Sequence, residues 1–179
     1  TDRFFIKQFE ETTNLNCYLV LDASGSMGMA GSNGVTKLQY GRYLLAGLSY
    51  LMLGQGDSVS LLAIHEDRHA YVPPSGRAVQ LGALLTQLAD TEASGRTNIA
   101  TGMEYLANRV KGRSMVIIVS DLLLDPDKFT DALSYFRYRN HEVIVFHVLN
   151  DLERNFPFTN VPTFRDMETG KQVFTEPSA

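Results

Sequence analysis

The feature that most constrains this chain is an uninterrupted apolar run that ends abruptly in an acid and two serines. Residues 17–21 read C-Y-L-V-L, without the polar alternation of a half-buried strand. A strand that is apolar on both faces is typical of the centre of a parallel sheet covered by helices on both sides. The run therefore predicts a central strand of an α/β fold.

The five residues after this strand, D-A-S-G-S, form a candidate binding loop. In open α/β sheets, ligands bind at the carboxyl ends of the strands, which is where the loop begins. Asp22, Ser24 and Ser26 can converge on one point because small residues separate them. Oxygen ligands with one formal charge favour a small hard cation such as Mg²⁺ over Zn²⁺, which prefers His and Cys. The loop predicts half of a metal site.

Two later stretches supply candidates for the other half. Residues 95–99 read G-R-T-N-I, and residues 116–121 read V-I-I-V-S-D, a second buried run that ends in an acid. With D-A-S-G-S, these stretches resemble, in order and spacing, the metal-ion-dependent adhesion site of von Willebrand factor A domains. The resemblance implies a set of five metal ligands: Asp22, Ser24, Ser26, Thr97 and Asp121.

Two residues depart from the pattern of that family. Arg96 stands before the threonine where related loops have Gly, and Leu122 follows Asp121 where many adhesion domains have Gly. The first departure predicts a cation near the ligand position, which either weakens metal binding or clamps an acidic partner. The second leaves open how Asp121 approaches the ion.

The rest of the chain alternates strands with helices. A short connection at residues 66–68 cannot hold a parallel crossover, so the strand after it is expected to be antiparallel. Thr36 is a candidate N-cap and Pro126 a first-turn residue. The predicted strands are 3–10, hairpinned against the first buried strand, then 57–65, 69–72, 114–120 and 142–149. The predicted helices are 37–53, 77–89, 98–109 and 126–139.

This alternation predicts an α/β fold with a doubly wound, mostly parallel central sheet, one antiparallel edge strand and helices on both faces. Two short strands around a turn within residues 163–174 add a terminal β-hairpin. No repeat or low-complexity linker divides the 179 residues, so a single domain spanning 1–179 is expected.

Four segments resemble the DUF58 family, prokaryotic proteins that contain a von Willebrand A domain and accompany MoxR-type AAA+ ATPases. They are K-Q-F-E-E at 7–11, D-L-L-L-D at 121–125, H-E-V at 141–143 and T-F-R-D-M-E-T-G-K-Q-V-F at 163–174. The resemblance implies that this chain is the C-terminal portion of a longer protein. It also implies a MoxR-type ATPase or its client as the partner.

Composition limits the partners and the compartment. A net charge of −4, a pI near 5.5 and no Lys/Arg cluster argue against nucleic-acid binding. The single cysteine, Cys17, lies in the buried run, which favours a reducing compartment. No apolar stretch approaches the roughly 20 residues that span a bilayer. A cytoplasmic domain is expected, and a membrane-associated parent protein is compatible with it.

These observations predict a metal-dependent protein-interaction module and not an enzyme. The metal is expected to be Mg²⁺, with Mn²⁺ or Ca²⁺ as alternatives, and an acidic residue of another protein is expected to complete its coordination.

Three other functions stay open at this stage. A Mg²⁺-dependent phosphotransferase or hydrolase would need a second carboxylate for acid–base chemistry where Ser24 and Ser26 stand, and no P-loop, G-x-G-x-x-G or nucleophile elbow is present. In a structural scaffold with a vestigial site, the two acids would cap helices and the serines would satisfy loop backbone groups. Extracellular adhesion is disfavoured by the lone buried cysteine. A minor alternative is a secondary metal site at His65 and His69.

Overall fold

The sheet has the predicted buried run at its centre. The computed structural model describes residues 14–66, 69–96, 99–155, 157, 163–165 and 172–174. Its five-stranded sheet has the order β3-β2-β1-β4-β5. Here β1 is Asn16–Asp22, β2 Ser58–Ile64, β3 His69–Ser75, β4 Ser114–Ser120 and β5 Glu142–His147. All neighbouring pairs are parallel except β2 and β3, which are antiparallel.

Helices cover both faces of this sheet. The helices are α1 Lys37–Gly54, α2 Gln80–Asp90, α3 Ile99–Ala107, α4 Pro126–Tyr138 and the short α5 Asp151–Asn155. Alternate residues of β1 belong to two hydrophobic cores, one on each face of the sheet. Leu19 and Leu21 pack with α1 and α2, whereas Tyr18 and Val20 pack with α3 and α4. The doubly wound α/β fold with one antiparallel edge strand is confirmed.

Two helices begin where the sequence predicts. The Thr36 side chain accepts a hydrogen bond from the backbone N–H of Gln39 at 3.0 Å, which caps α1. The Asp125 side chain accepts one from the N–H of Asp127, and Pro126 occupies the first turn of α4.

The antiparallel edge strand and the helix after it differ from prediction in their limits. β3 continues through Pro73 and Pro74 to Ser75, with a register shift against β2 between Val59 and Leu61. An edge strand tolerates proline because one side of it needs no ladder hydrogen bonds. α2 begins three residues later than predicted because Arg77 forms a turn first, its carbonyl accepting from the N–H of Gln80.

The C-terminal part contains one helix that the sequence did not indicate, α5, and β5 ends two residues earlier than predicted. The predicted terminal hairpin is present as β6 Thr163–Arg165 paired antiparallel with β7 Gln172–Phe174. The predicted strand at 3–10 lies outside the described residues. The predicted hairpin of this segment with β1 is wrong, however, because β2 and β4 occupy both edges of β1.

No helix in the described ranges is long and apolar enough to cross a membrane.

Candidate metal-binding site

The loop after β1 is held between the end of β2 and the loop that precedes α3. The N–H of Ala23 donates to the carbonyl of Ile64 at 3.0 Å. The N–H of Gly25 donates to the carbonyl of Gly95, and the N–H of Ser94 donates to that of Ala23, each at 2.9 Å. A short 3-10 turn, Gly25–Gly28, then leads the chain away. These bonds fix the loop at the carboxyl edge of the sheet.

Three of the predicted ligands converge in this loop. The Oγ atoms of Ser24 and Ser26 lie 3.0 Å apart, and the N–H of Ser24 donates to Oδ1 of Asp22 at 3.0 Å. All three side chains are buried. The loop therefore gathers one carboxylate and two hydroxyls, as the alternating small residues predict.

Asp22 is a buried carboxylate that no cation of the described residues neutralises. It is fully buried, and no charged side chain in the described part of the chain forms an ion pair with it. Burial raises the pKa of its carboxyl above the ordinary 3.8, while hydrogen bonds from Ser120 and Ser24 lower it in part. The Ser120 hydroxyl donates to Oδ2 at 2.7 Å. A buried negative charge beside two hydroxyl oxygens fits a hard divalent cation.

Asp121, the second predicted carboxylate, is occupied by a protein cation. Its Oδ2 accepts from Nζ of Lys37 at 2.7 Å, and its Oδ1 accepts from the N–H of Leu123 at 3.3 Å. Nε2 of His147 lies 3.0 Å from its backbone carbonyl oxygen. Asp121 is thus buried at the end of β4, but both carboxylate oxygens already have protein donors.

Lys37 is the residue at this site that sequence reasoning missed. Its Nζ also donates to Oε1 of Glu153 at 2.6 Å, so one buried ammonium binds two carboxylates. Glu153 completes a reciprocal cap at the start of α5: its Oε2 accepts from the N–H of Asn150, and its own N–H donates to Oδ1 of Asn150. The sequence did contain a signal for this residue. A lysine at the first position of a helix lies at the positive end of the helix dipole, where its charge is unfavourable unless a carboxylate is nearby.

The second loop is described only up to residue 96, so the predicted ligand Thr97 lies outside the described residues. Arg96 is exposed, and its backbone N–H donates to Oε2 of Glu66 at 3.0 Å. Its action on a metal or on an acidic partner stays a prediction. Leu122 has φ 55°, a left-handed conformation that favours Gly, the residue that the resemblance to adhesion domains led us to expect after Asp121.

The described part of the site contains no cluster of charged metal ligands. Within the described ranges, no group of three or more His, Cys, Asp or Glu side chains could hold a metal ion. The gathered set is instead one free carboxylate, one lysine-bound carboxylate and two hydroxyls. Such a set excludes the His/Cys-rich centres typical of Zn²⁺.

A protein-family model matches almost the entire chain. The model, described as "Protein of unknown function DUF58", matches residues 1–178. No curated protein matches the sequence.

Solved structures with low sequence identity share the fold. The conserved hypothetical protein BatB from Bacteroides thetaiotaomicron is 15% identical with a TM-score of 0.63, over 92% of this chain and 81% of that one. An aerotolerance-related membrane protein from Bacteroides fragilis is also 15% identical with a TM-score of 0.63, over 90% and 81%. The SpRpn10 VWA domain is 11% identical with a TM-score of 0.54, over 74% of each chain. At these identities the likeness shows a von Willebrand A-like fold alone.

Proposed function

Since this chain belongs to the DUF58 family and has a von Willebrand A-like fold, we propose that it binds another protein through a divalent metal ion. Such a fold suggests a protein-interaction module. The metal is Mg²⁺ in this proposal. Its ligands are Asp22, Ser24 and Ser26, with Thr97 from the second loop and Asp121 through water. The partner supplies a Glu or Asp carboxylate.

One observation carries this proposal: Asp22 is buried with an ionisable carboxyl, beside two converging hydroxyls and without a cation from the part of the chain that the structure describes. A polar group buried at such cost persists in proteins chiefly where it has a function. The D-A-S-G-S loop holds these groups in place through three backbone hydrogen bonds, so little reorganisation is needed on binding.

The donor set determines what the site does. Ser24 and Ser26 contribute neutral oxygens, and Asp121 shares its charge with Lys37, so Asp22 supplies most of the negative charge. Mg²⁺ bound there would supply an open coordination position with appreciable positive character, which suits a carboxylate from another protein. A MoxR-type AAA+ ATPase or its client is the partner that the family resemblance favours.

The same geometry supports binding in preference to catalysis. A phosphotransferase needs a carboxylate available for acid–base work near the metal. Asp121, the candidate among the described residues, accepts from Lys37 and from the N–H of Leu123. We therefore expect no Mg²⁺-dependent turnover of a generic phosphate ester, and measurable turnover that disappears in Asp22→Ala would contradict the binding proposal.

A structural scaffold is the second candidate, and Lys37 is the observation that favours it. The Lys37 ammonium already neutralises the buried Asp121 carboxylate without any metal. In a scaffold, the same contacts would serve only to connect β4, α1 and α5.

Isothermal titration of Mg²⁺ and Mn²⁺ into metal-stripped protein tests the proposal. Wild type is expected to bind at one site and Asp22→Ala at none, because that substitution removes the principal charged ligand. Glu104→Gln is the matched control: it removes an exposed carboxylate on α3, outside the site. Circular dichroism establishes that each variant is folded.

Equal metal binding by wild type and a folded Asp22→Ala would refute the metal site. Absence of binding in every protein would favour the scaffold. Binding at one Asp22-dependent site would justify a metal-dependent search for partners among AAA+ ATPases.

A further inference from the structure

Lys37 is the most unusual residue of the site, because its charge is almost completely removed from solvent. Its side chain is 1% exposed. An ammonium group buried to this degree is costly unless anions surround it. The chain supplies two, Asp121 at 2.7 Å and Glu153 at 2.6 Å, from segments 84 and 116 residues away.

The hydrogen bonds around Lys37 show which oxygens remain available. Asp121 and Glu153 each use one carboxylate oxygen for Lys37 and the other for a backbone N–H, those of Leu123 and Asn150. Asp22, by contrast, accepts hydrogen bonds from Ser24 and from the hydroxyl of Ser120, and no cation contacts it in the described residues. The lysine therefore compensates one of the two predicted metal-binding carboxylates and leaves the other uncompensated.

We infer that Lys37 is a built-in cation that competes with the divalent metal ion for Asp121 and thereby sets the metal affinity of the site. This inference rests on the proposed function. Lys37 lowers the negative charge available to a metal to about that of Asp22 alone, so the metal binds weakly. Glu153 moderates the competition, because it offers the ammonium a second anion.

The inference predicts opposite effects on metal affinity for two substitutions that each replace a charged residue with an uncharged one. Lys37→Met keeps an unbranched side chain but removes the charge, so Asp121 becomes available and metal affinity rises. Among the described residues, Glu153→Gln leaves Lys37 with Asp121 alone as an anion, so the lysine holds Asp121 more firmly and metal affinity falls. Gln at this position can still cap α5 through Asn150.

The experiment is titration of Mn²⁺ and Mg²⁺ alone into metal-stripped wild type, Lys37→Met and Glu153→Gln, each also in the Asp22→Ala background. We expect Lys37→Met to bind roughly 10–100-fold more tightly, a change of the size, though not the sign, that mutation of outer-shell partners of metal ligands produces, and Glu153→Gln to bind several-fold more weakly. Glu142→Gln is the control, because it removes an exposed carboxylate paired with Arg113 instead.

A second measurement does not depend on calorimetry. Lys37→Met leaves Asp121 buried without a cation, so the variant is expected to be less stable without metal. Metal ion should therefore raise its melting temperature more than it raises that of wild type. If Lys37→Met does not fold, Glu153→Gln decides the matter: weaker binding supports the inference, and unchanged or tighter binding overturns it.

The outcomes separate this inference from the proposed function. Equal affinity of wild type and Lys37→Met, both abolished by Asp22→Ala, overturns the role of Lys37 and leaves the metal site standing. Binding by Lys37→Met but not by wild type supports the inference in its strongest form. No binding by any folded variant overturns the metal site and the inference together.

Discussion

Leu122 shows at the residue scale how a strained backbone conformation is accommodated beside the site. A side chain at φ 55° is strained, since its Cβ crowds the backbone, and glycine relieves that strain. Leu122 nevertheless packs against the core on the α3 and α4 face. The strain is tolerated because the side chain gains this contact and its N–H donates to Oγ of Ser120.

We predict that Leu122→Gly is more stable than Leu122→Ala by about 1 kcal/mol, the reverse of the usual order, because only alanine keeps the left-handed strain. The two variants differ in packing by one methyl group only, so their difference mainly reports the backbone. Urea unfolding of the two proteins measures it.

Leu124 provides the control for this prediction. It is also partly buried against the same core, but its φ is not positive. Leu124→Gly should be less stable than Leu124→Ala. If alanine is the more stable residue at both positions, the strain at Leu122 is negligible.

At the scale of elements, α3 packs so closely on the sheet that one of its positions has no room for a side chain. A Cβ added at Gly102 would lie 2.6 Å from Cγ1 of Ile64, a residue at the end of β2. Gly102 is therefore needed for close packing of α3 on the sheet. Gly82 in α2 is exposed, with nothing within 4 Å of the position of its absent Cβ.

We predict that Gly102→Ala lowers the free energy of unfolding by about 1–3 kcal/mol, the usual effect of overpacking. Gly82→Ala should raise it by roughly 0.5–1 kcal/mol, since alanine restricts the unfolded chain and favours the helix. Thermal or urea unfolding of both variants checks the pair. A destabilised Gly82→Ala together with a neutral Gly102→Ala would contradict this packing of α3.

The helix α5 illustrates why some elements escape sequence prediction. None of its five residues is buried, so it leaves no apolar periodicity in the sequence. Its contacts are polar: Glu153 reaches Lys37, and Asp151 accepts from the N–H of Ser32 at 2.9 Å. Those two partners are more than 100 residues away, so local patterns cannot indicate them.

At the scale of the whole molecule, Cys17 lies in the central strand and is 1% exposed. Burial, assisted by the charge of Asp57, raises the pKa of its thiol from 9.0 to about 11. The native thiol is therefore both inaccessible and protonated at pH 8, and a thiol reagent can reach it only when the sheet opens.

We predict that the rate of Cys17 modification by a disulfide reagent at pH 8 rises with urea concentration. The logarithm of this rate should depend on urea with the slope that the free energy of global unfolding shows. The central strand has neighbours on both sides, so no local opening exposes it. Rapid modification at a rate independent of urea would show that β1 opens locally.

The sequence by itself determined the parts of this protein that depend on neighbouring residues. Apolar runs without alternation predicted β1 and β4 at the centre of the sheet, and the small residues between Asp22, Ser24 and Ser26 predicted their convergence. Thr36 as an N-cap and Pro126 as a first-turn residue located the starts of α1 and α4. Each of these features is local, so its cause can be read within a few positions.

Only the tertiary structure decided how the charges of the site are paired. The strand order brings Asp121 beside Lys37 and Glu153, although 84 and 116 residues separate the lysine from its partners. The sequence could place a carboxylate at the end of β4. Whether that carboxylate faces a metal ion or a lysine depends on which helix begins next to it in the fold, and here that helix is α1. Electrostatic interactions act through space, and distance along the chain carries no information about them.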